Sequence, residues 1–125
     1  MNAIVSEQEI GLIVEHFYEK VRLDSEIGPI FNATVGDWPY HLRTLKDFWS
    51  TILLASGRYK GDPMMTHLPL ALDPQHFERW LTLFSETARE FLPEERAVIV
   101  VTKAERLAQN FRLGIARRKQ SALDN

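Results

Sequence analysis

The chain has no cysteine. That excludes disulfides, thiolate zinc sites, cysteine-ligated iron–sulfur clusters and thioether-attached haem. It fits a reducing compartment such as the cytoplasm. The longest unbroken apolar run is Ala97 to Val101, far too short to span a membrane, and the first ten residues lack the basic and apolar regions of a signal peptide. A formal charge of -2 gives no field that would favour nucleic acid or an anionic membrane. The local exception, Arg117-Arg118-Lys119, sits where a last helix is expected to end, and compensation of the helix dipole accounts for it. No segment alternates with period two, so no strand is expected, and there are no repeats or low-complexity tracts.

What is present is ordinary in amount and ordered in pattern. With 125 residues, 45% of them apolar, the chain can build one modest core, and a single domain over residues 1–125 is expected. Four segments carry apolar residues at steps of three and four. The first runs from about Glu7 to Arg22, opened by Ser6 and Glu9 at capping-box spacing, with Ile10, Ile13, Val14, Phe17, Tyr18 and Val21 on one stripe. Gly28 and Pro29 then predict an irregular turn. The second segment runs from about Trp38 to Ala55 behind Asp37, with Trp38, His41, Leu42, Leu45, Phe48, Trp49, Ile52 and Leu53 inward. The third begins at Asp73-Pro74 and carries Phe77, Trp80, Leu81, Phe84, Ala88 and Phe91. The fourth begins at Glu94-Glu95 and carries Ala97, Val101, Ala104, Ala108, Phe111 and Ile115, with the last five residues frayed. The expectation is an all-α domain of four main helices. Its connectors at 23–36 and 56–73 are long for an up-down bundle and suited to framing a pocket.

Two of the four histidines stand among apolar residues. His16 and His76 fall off the stripes and are expected at the surface. His41 lies on the stripe of the second segment, and His67 lies in the short run Met64-Met65-Thr66-His67-Leu68. A buried imidazole needs a partner at each ring nitrogen, so either residue alone reads as a core histidine bonded to carbonyls. Two of them beside a pocket turn attention to a metal or cofactor. Zinc needs about four ligands, and no third or fourth histidine or carboxylate stands at ligand spacing. Haem asks for one imidazole, an apolar slot and cations near its propionates, and all three residue types occur. Tyr18 and Trp80 are inward-facing groups with a polar tip, readable as core aromatics or as hydrogen-bond donors into that slot.

The stretches "HFYEKVRLDSEIGPIFN", "HLRTLKDFW", "GRYKGDPMMTHLPL" and "HFERWLTLF", in this order and spacing, resemble the truncated haemoglobins of group III. The resemblance spans about Ile10 to Phe111. It implies a shortened globin fold, a two-over-two helical sandwich around haem b. It implies His67 as the proximal iron ligand, Tyr18 and Trp80 as distal ligand-stabilising donors, His41 as the distal gate, Leu45 as its apolar neighbour one turn on, and Phe31 as the wedge against the haem face. Periodicity adds Phe48, Trp49, Leu53, Met64 and Phe77 as candidate haem walls, and position before the proximal segment adds Arg58, Tyr59 and Lys60 as candidate propionate partners. The resemblance further implies O2, NO, CO or peroxide as small ligands. Ligand scavenging, detoxification or redox chemistry is expected ahead of oxygen transport. Peroxidase-like or NO-detoxifying activity stays open and would need an electron donor from outside the chain. A haem-free helical interaction module and a bis-histidine electron carrier using His41 are the alternatives, and a monomer is the default.

Overall fold

Ser6 starts the first helix with a reciprocal cap. Its Oγ accepts from the Glu9 N–H at 3.0 Å, and Glu9 Oε1 accepts from the Ser6 N–H at 2.9 Å. The computed structural model describes residues 4–61 and 73–124. Five helices form among these residues, and no strand does. They are α1 Glu7–Leu23, α2 Gly28–Thr34, α3 Trp38–Leu54, α4 Pro74–Phe91 and α5 Glu94–Asp124. The helix α1 packs against α2, α3 and α4, while α4 packs against α5 and α3 touches α5. The result is two helix pairs, α1 with α3 and α4 with α5, joined through α1 and α4. No helix among the described residues is long and apolar enough to cross a membrane.

Two expectations are corrected. The Gly28-Pro29 connector is not an irregular turn but the start of α2. Proline fits a helix's first turn because its fixed φ suits the helix and its missing N–H would be unpaired there anyway. Gly28 sits against the end of α1, where an added Cβ would lie 2.8 Å from the Arg22 carbonyl oxygen. The last helix also continues through Asp124, so residues 121–124 are helical rather than frayed, and the 117–119 cluster lies within the helix rather than at its end. The other start signals behave as expected. Asp37 Oδ1 accepts from the Tyr40 N–H at 3.0 Å at the head of α3. His76, expected only to be exposed, is half-buried, and its Nδ1 accepts from the Asp73 N–H at 2.9 Å, the task a glutamate performs in a capping box.

The core is centred on Phe17, which is fully buried. Its ring meets Tyr18, Trp80 and Phe84 edge-on at centroid distances of 4.6, 5.3 and 5.2 Å. Trp49 from α3 stacks on Phe84 from α4 at 4.9 Å. Edge-on and offset contacts of this kind add about 0.5–1.5 kcal/mol each beyond burial of area. A second cluster, Phe77, Ala108, Phe111 and Ile115, closes α4 onto α5.

The α1–α2 corner is held by Asp24, whose side chain is only 5% exposed. Its Oδ2 accepts from the N–H groups of Glu26 and Ile27 at 3.0 and 3.1 Å, and its Oδ1 lies 2.7 Å from the guanidinium of Arg79 on α4. Burial pushes this carboxyl up, but the backbone donors and Arg79 outweigh it and hold the group below the usual aspartate range. A depressed carboxyl stabilises the fold above its unfolded pKa, and that contribution is lost as pH falls through the folded value. Asp24→Ala should therefore cost about 1–3 kcal/mol at neutral pH, because it leaves covered donors without an acceptor. Its loss of stability below about pH 4 should be shallower than that of the wild type. Denaturant titrations at both pH values measure this, and equal stability of the two proteins at pH 7 would refute it.

Candidate functional site: an aromatic cavity between the helix pairs

A cavity of about 230 Å³ lies between the two helix pairs. Helix α1 contributes Tyr18, and α3 contributes Tyr40, His41, Thr44, Leu45, Phe48 and Trp49. Trp80 comes from α4, Leu107 and Phe111 from α5, and Tyr59 from the segment after α3. The α3 residues reach one wall because 41, 44, 45 and 48 follow the three-and-four spacing of a helix face. This wall carries no carboxylate, so a flat apolar body fits it better than a bare cation does.

Tyr18 is buried, and burial pushes its phenol far above the ordinary value. The Trp80 side chain is its polar neighbour and works against that rise. An indole N–H only donates, so Trp80 cannot take up the Tyr18 proton. The Tyr18 ring also sits 6.3 Å edge-on from His41, which in turn lies 5.5 Å from Trp38. A second donor is held at the same cavity. Trp49 Nε1 is buried and has no acceptor among the described residues. A buried unpaired N–H costs about 1–3 kcal/mol. The cavity thus combines aromatic and aliphatic walls with the Tyr18 phenol and with Trp49, whose N–H is unpaired among the described residues. Those features fit a flat apolar cofactor that holds a small acceptor ligand, the requirement for haem.

The structure brings together Tyr18, His41, Leu45, Phe48, Trp49, Tyr59 and Trp80 from the candidates named above. Others lie elsewhere. Phe31 is buried with its ring 6.4 Å from that of Tyr18 but does not line the cavity. Leu53 is buried in the core, and Phe77 belongs to the α4–α5 cluster. Arg58, expected at a propionate, points its guanidinium at Glu7 on α1, 3.2 Å from the carboxylate. His67 and Met64 lie outside the described residues. Tyr40, Thr44, Leu107 and Phe111 were missed as site residues, Phe111 having been read only as part of an apolar stripe. Thr44 and Leu107 share a helix face with recognised residues, at i+3 from His41 and i−4 from Phe111. Tyr40 is 62% exposed and gave no such signal.

The fold and the cavity together define a globin. The chain matches the Bacterial-like globin family over residues 1–112. The group 3 truncated haemoglobin of Campylobacter jejuni is 38% identical over 112 residues, covering 86% of this chain and 88% of that one. The crystal structure of the group III truncated haemoglobin from Campylobacter jejuni superposes with a TM-score of 0.83 at 36% identity, over 89% of this chain and 91% of the other. The group II truncated haemoglobin from Bacillus anthracis superposes at 0.76 with 25% identity, over 86% and 90%. The chain belongs to the bacterial-like globins and, within them, to the group III truncated haemoglobins, a family of haem-binding proteins.

The burial of Tyr18 sets a spectroscopic expectation. A phenol raised this far does not ionise while the protein is folded, whereas exposed tyrosines titrate near pH 10. Wild type and Tyr18→Phe should give the same native absorbance change on alkaline titration to about pH 11. A change smaller by one tyrosine in the variant would contradict the burial.

Proposed function

We propose that the chain binds haem b in this cavity, that His67 ligates the iron, and that Tyr18 holds a diatomic ligand by donating its phenol proton. The observation that carries the proposal is the buried Tyr18 phenol on the wall of an aromatic cavity, beside an indole, Trp80, that cannot accept its proton. Haem would supply an iron centre on which a small ligand gains partial negative charge. The protein residues supply the rest. Tyr18 donates to the acceptor, Trp80 stands beside the phenol, and Leu45 and Phe48 exclude water. Trp49 offers a second N–H from the α3 wall, and His41 stands at the Tyr18 side, where an imidazole can admit or bar a ligand.

A charge-assisted hydrogen bond in a dry site contributes about 1.5–3 kcal/mol. The bound ligand is therefore released slowly, which suits scavenging, detoxification or redox chemistry and ill suits delivery of O2. Turnover of NO or peroxide would draw electrons from a separate donor. The Tyr18 donor is the feature that favours such an enzymatic role over simple storage, because it would stabilise charge that develops on a bound acceptor.

The test is the absorption spectrum of the protein given hemin, before and after dithionite and CO, beside a His67→Ala variant. A Soret band that shifts with CO in the wild type and is lost or altered in the variant is expected. No Soret band in the wild type would refute haem binding and would favour a helical interaction module.

A further inference from the structure

The C-terminal end of α3 carries a buried polar group that the cavity account does not use. Ser50 is fully buried, yet its Oγ lies 2.6 Å from Glu7 Oε1 on α1 and 2.7 Å from Ser56 Oγ. A carboxylate only accepts, so the single Ser50 proton goes to Glu7. The Ser56 hydroxyl then donates to Ser50, and its oxygen accepts the Arg58 N–H at 3.4 Å. The Arg58 guanidinium returns to Glu7 Oε2 at 3.2 Å and closes a ring of four residues. The Glu7–Arg58 pair alone is worth little, because the two side chains are 42% and 55% exposed. The buried hydroxyl at the centre is the costly member to lose.

The ring fixes a chain reversal that leads into the cavity. Ala55 and Gly57 both take positive φ, 56° and 73°. Beyond them the Tyr59 N–H donates to Thr51 Oγ1 at 3.0 Å, so α3 anchors the returning segment at a second point. Tyr59 then lines the cavity with its ring edge-on to Phe48 at 5.3 Å. Gly61 follows so closely against the Tyr59 phenol that an added Cβ would fall 2.6 Å from its oxygen. Tyr59 and Gly61 thus set both a wall of the cavity and the point from which the chain departs toward residue 67.

We infer that Ser50 is a positioning residue for the haem site. It ties the start of α1 to the 56–61 segment and thereby sets Tyr59 and Gly61, from which the chain continues toward His67. The inference rests on the haem reading above. Arg58 acts here as a member of the ring, not as a partner of a propionate.

The test compares ferric and ferrous holoproteins of the wild type, Ser50→Ala, Ser56→Ala and Glu9→Ala. Glu9 caps the same helix and pairs with Arg96 on α5 at 2.9 Å, with no bond to the 56–61 segment among the described residues, so it serves as the control for general destabilisation. Ser50→Ala should transfer hemin to apomyoglobin about tenfold faster than the wild type, the consequence of leaving the ring's donors unmatched. It should also shift the iron–histidine band in the resonance Raman spectrum of the ferrous protein. Ser56 is exposed, so its alanine variant should fold and should move both readings the same way by less. Glu9→Ala should move neither, even where denaturant shows a comparable loss of stability. Unchanged hemin loss and an unmoved band in both serine variants would overturn the inference, as would a Glu9→Ala protein that matches Ser50→Ala. A wild type with no Soret band would instead overturn the haem reading on which the inference depends.

Discussion

One aromatic junction organises the cavity. The fully buried Phe17 of α1 meets Tyr18, Trp80 and Phe84 edge-on where α4 crosses α1. The junction sets the Tyr18 phenol and the Trp80 indole on one cavity wall. An indole only donates, so Trp80 leaves the phenol's donating capacity untouched. Burial keeps the phenol protonated well above the ordinary tyrosine range. The aromatic packing around Phe17 and the polar end of the cavity are therefore one construction. Moving α4 relative to α1 would part the phenol from the indole and open the core together.

The same economy governs the other side of the cavity. The α3 face supplies Leu45 and Phe48 as walls, and Trp49 packs on Phe84 with its N–H unpaired among the described residues. At the end of that helix the pattern turns polar, with Ser50 and Thr51 binding the returning segment instead of filling the core. One helix thus carries a cavity wall in its middle and an anchor for the next wall at its end. The Asp24 corner does a comparable job at the opposite edge, joining α1, α2 and α4 through three acceptor contacts on one carboxylate.

The helical stripes were readable in the sequence because burial follows the period of a helix. Phe17, Tyr18, Phe48, Trp49 and Phe84 all fell on the faces that pack inward. The helix starts were equally plain, since Ser6, Asp37 and Pro74 each answer a specific need of an unpaired N-terminal turn. The short α2 was not readable, because glycine followed by proline signals a turn and a helix start alike, and the choice depends on how closely Gly28 approaches α1. Arg58 shows a further limit. Its ion-pair partner, Glu7, lies far away in sequence and is brought near only by folding. Ser50 was silent for the same reason, since a serine beside a stripe gives no sign of being wholly buried.

The account stands on Tyr18 as a proton donor to the bound ligand, and the O2 dissociation rate tests that most directly. The measurement is stopped-flow displacement of O2 from the ferrous protein, wild type against Tyr18→Phe. Losing a bond worth about 1.5–3 kcal/mol should speed release by roughly 10- to 100-fold. Rates equal within a factor of about two, less than 0.5 kcal/mol, would show that the phenol proton is not spent on the ligand and would contradict the account.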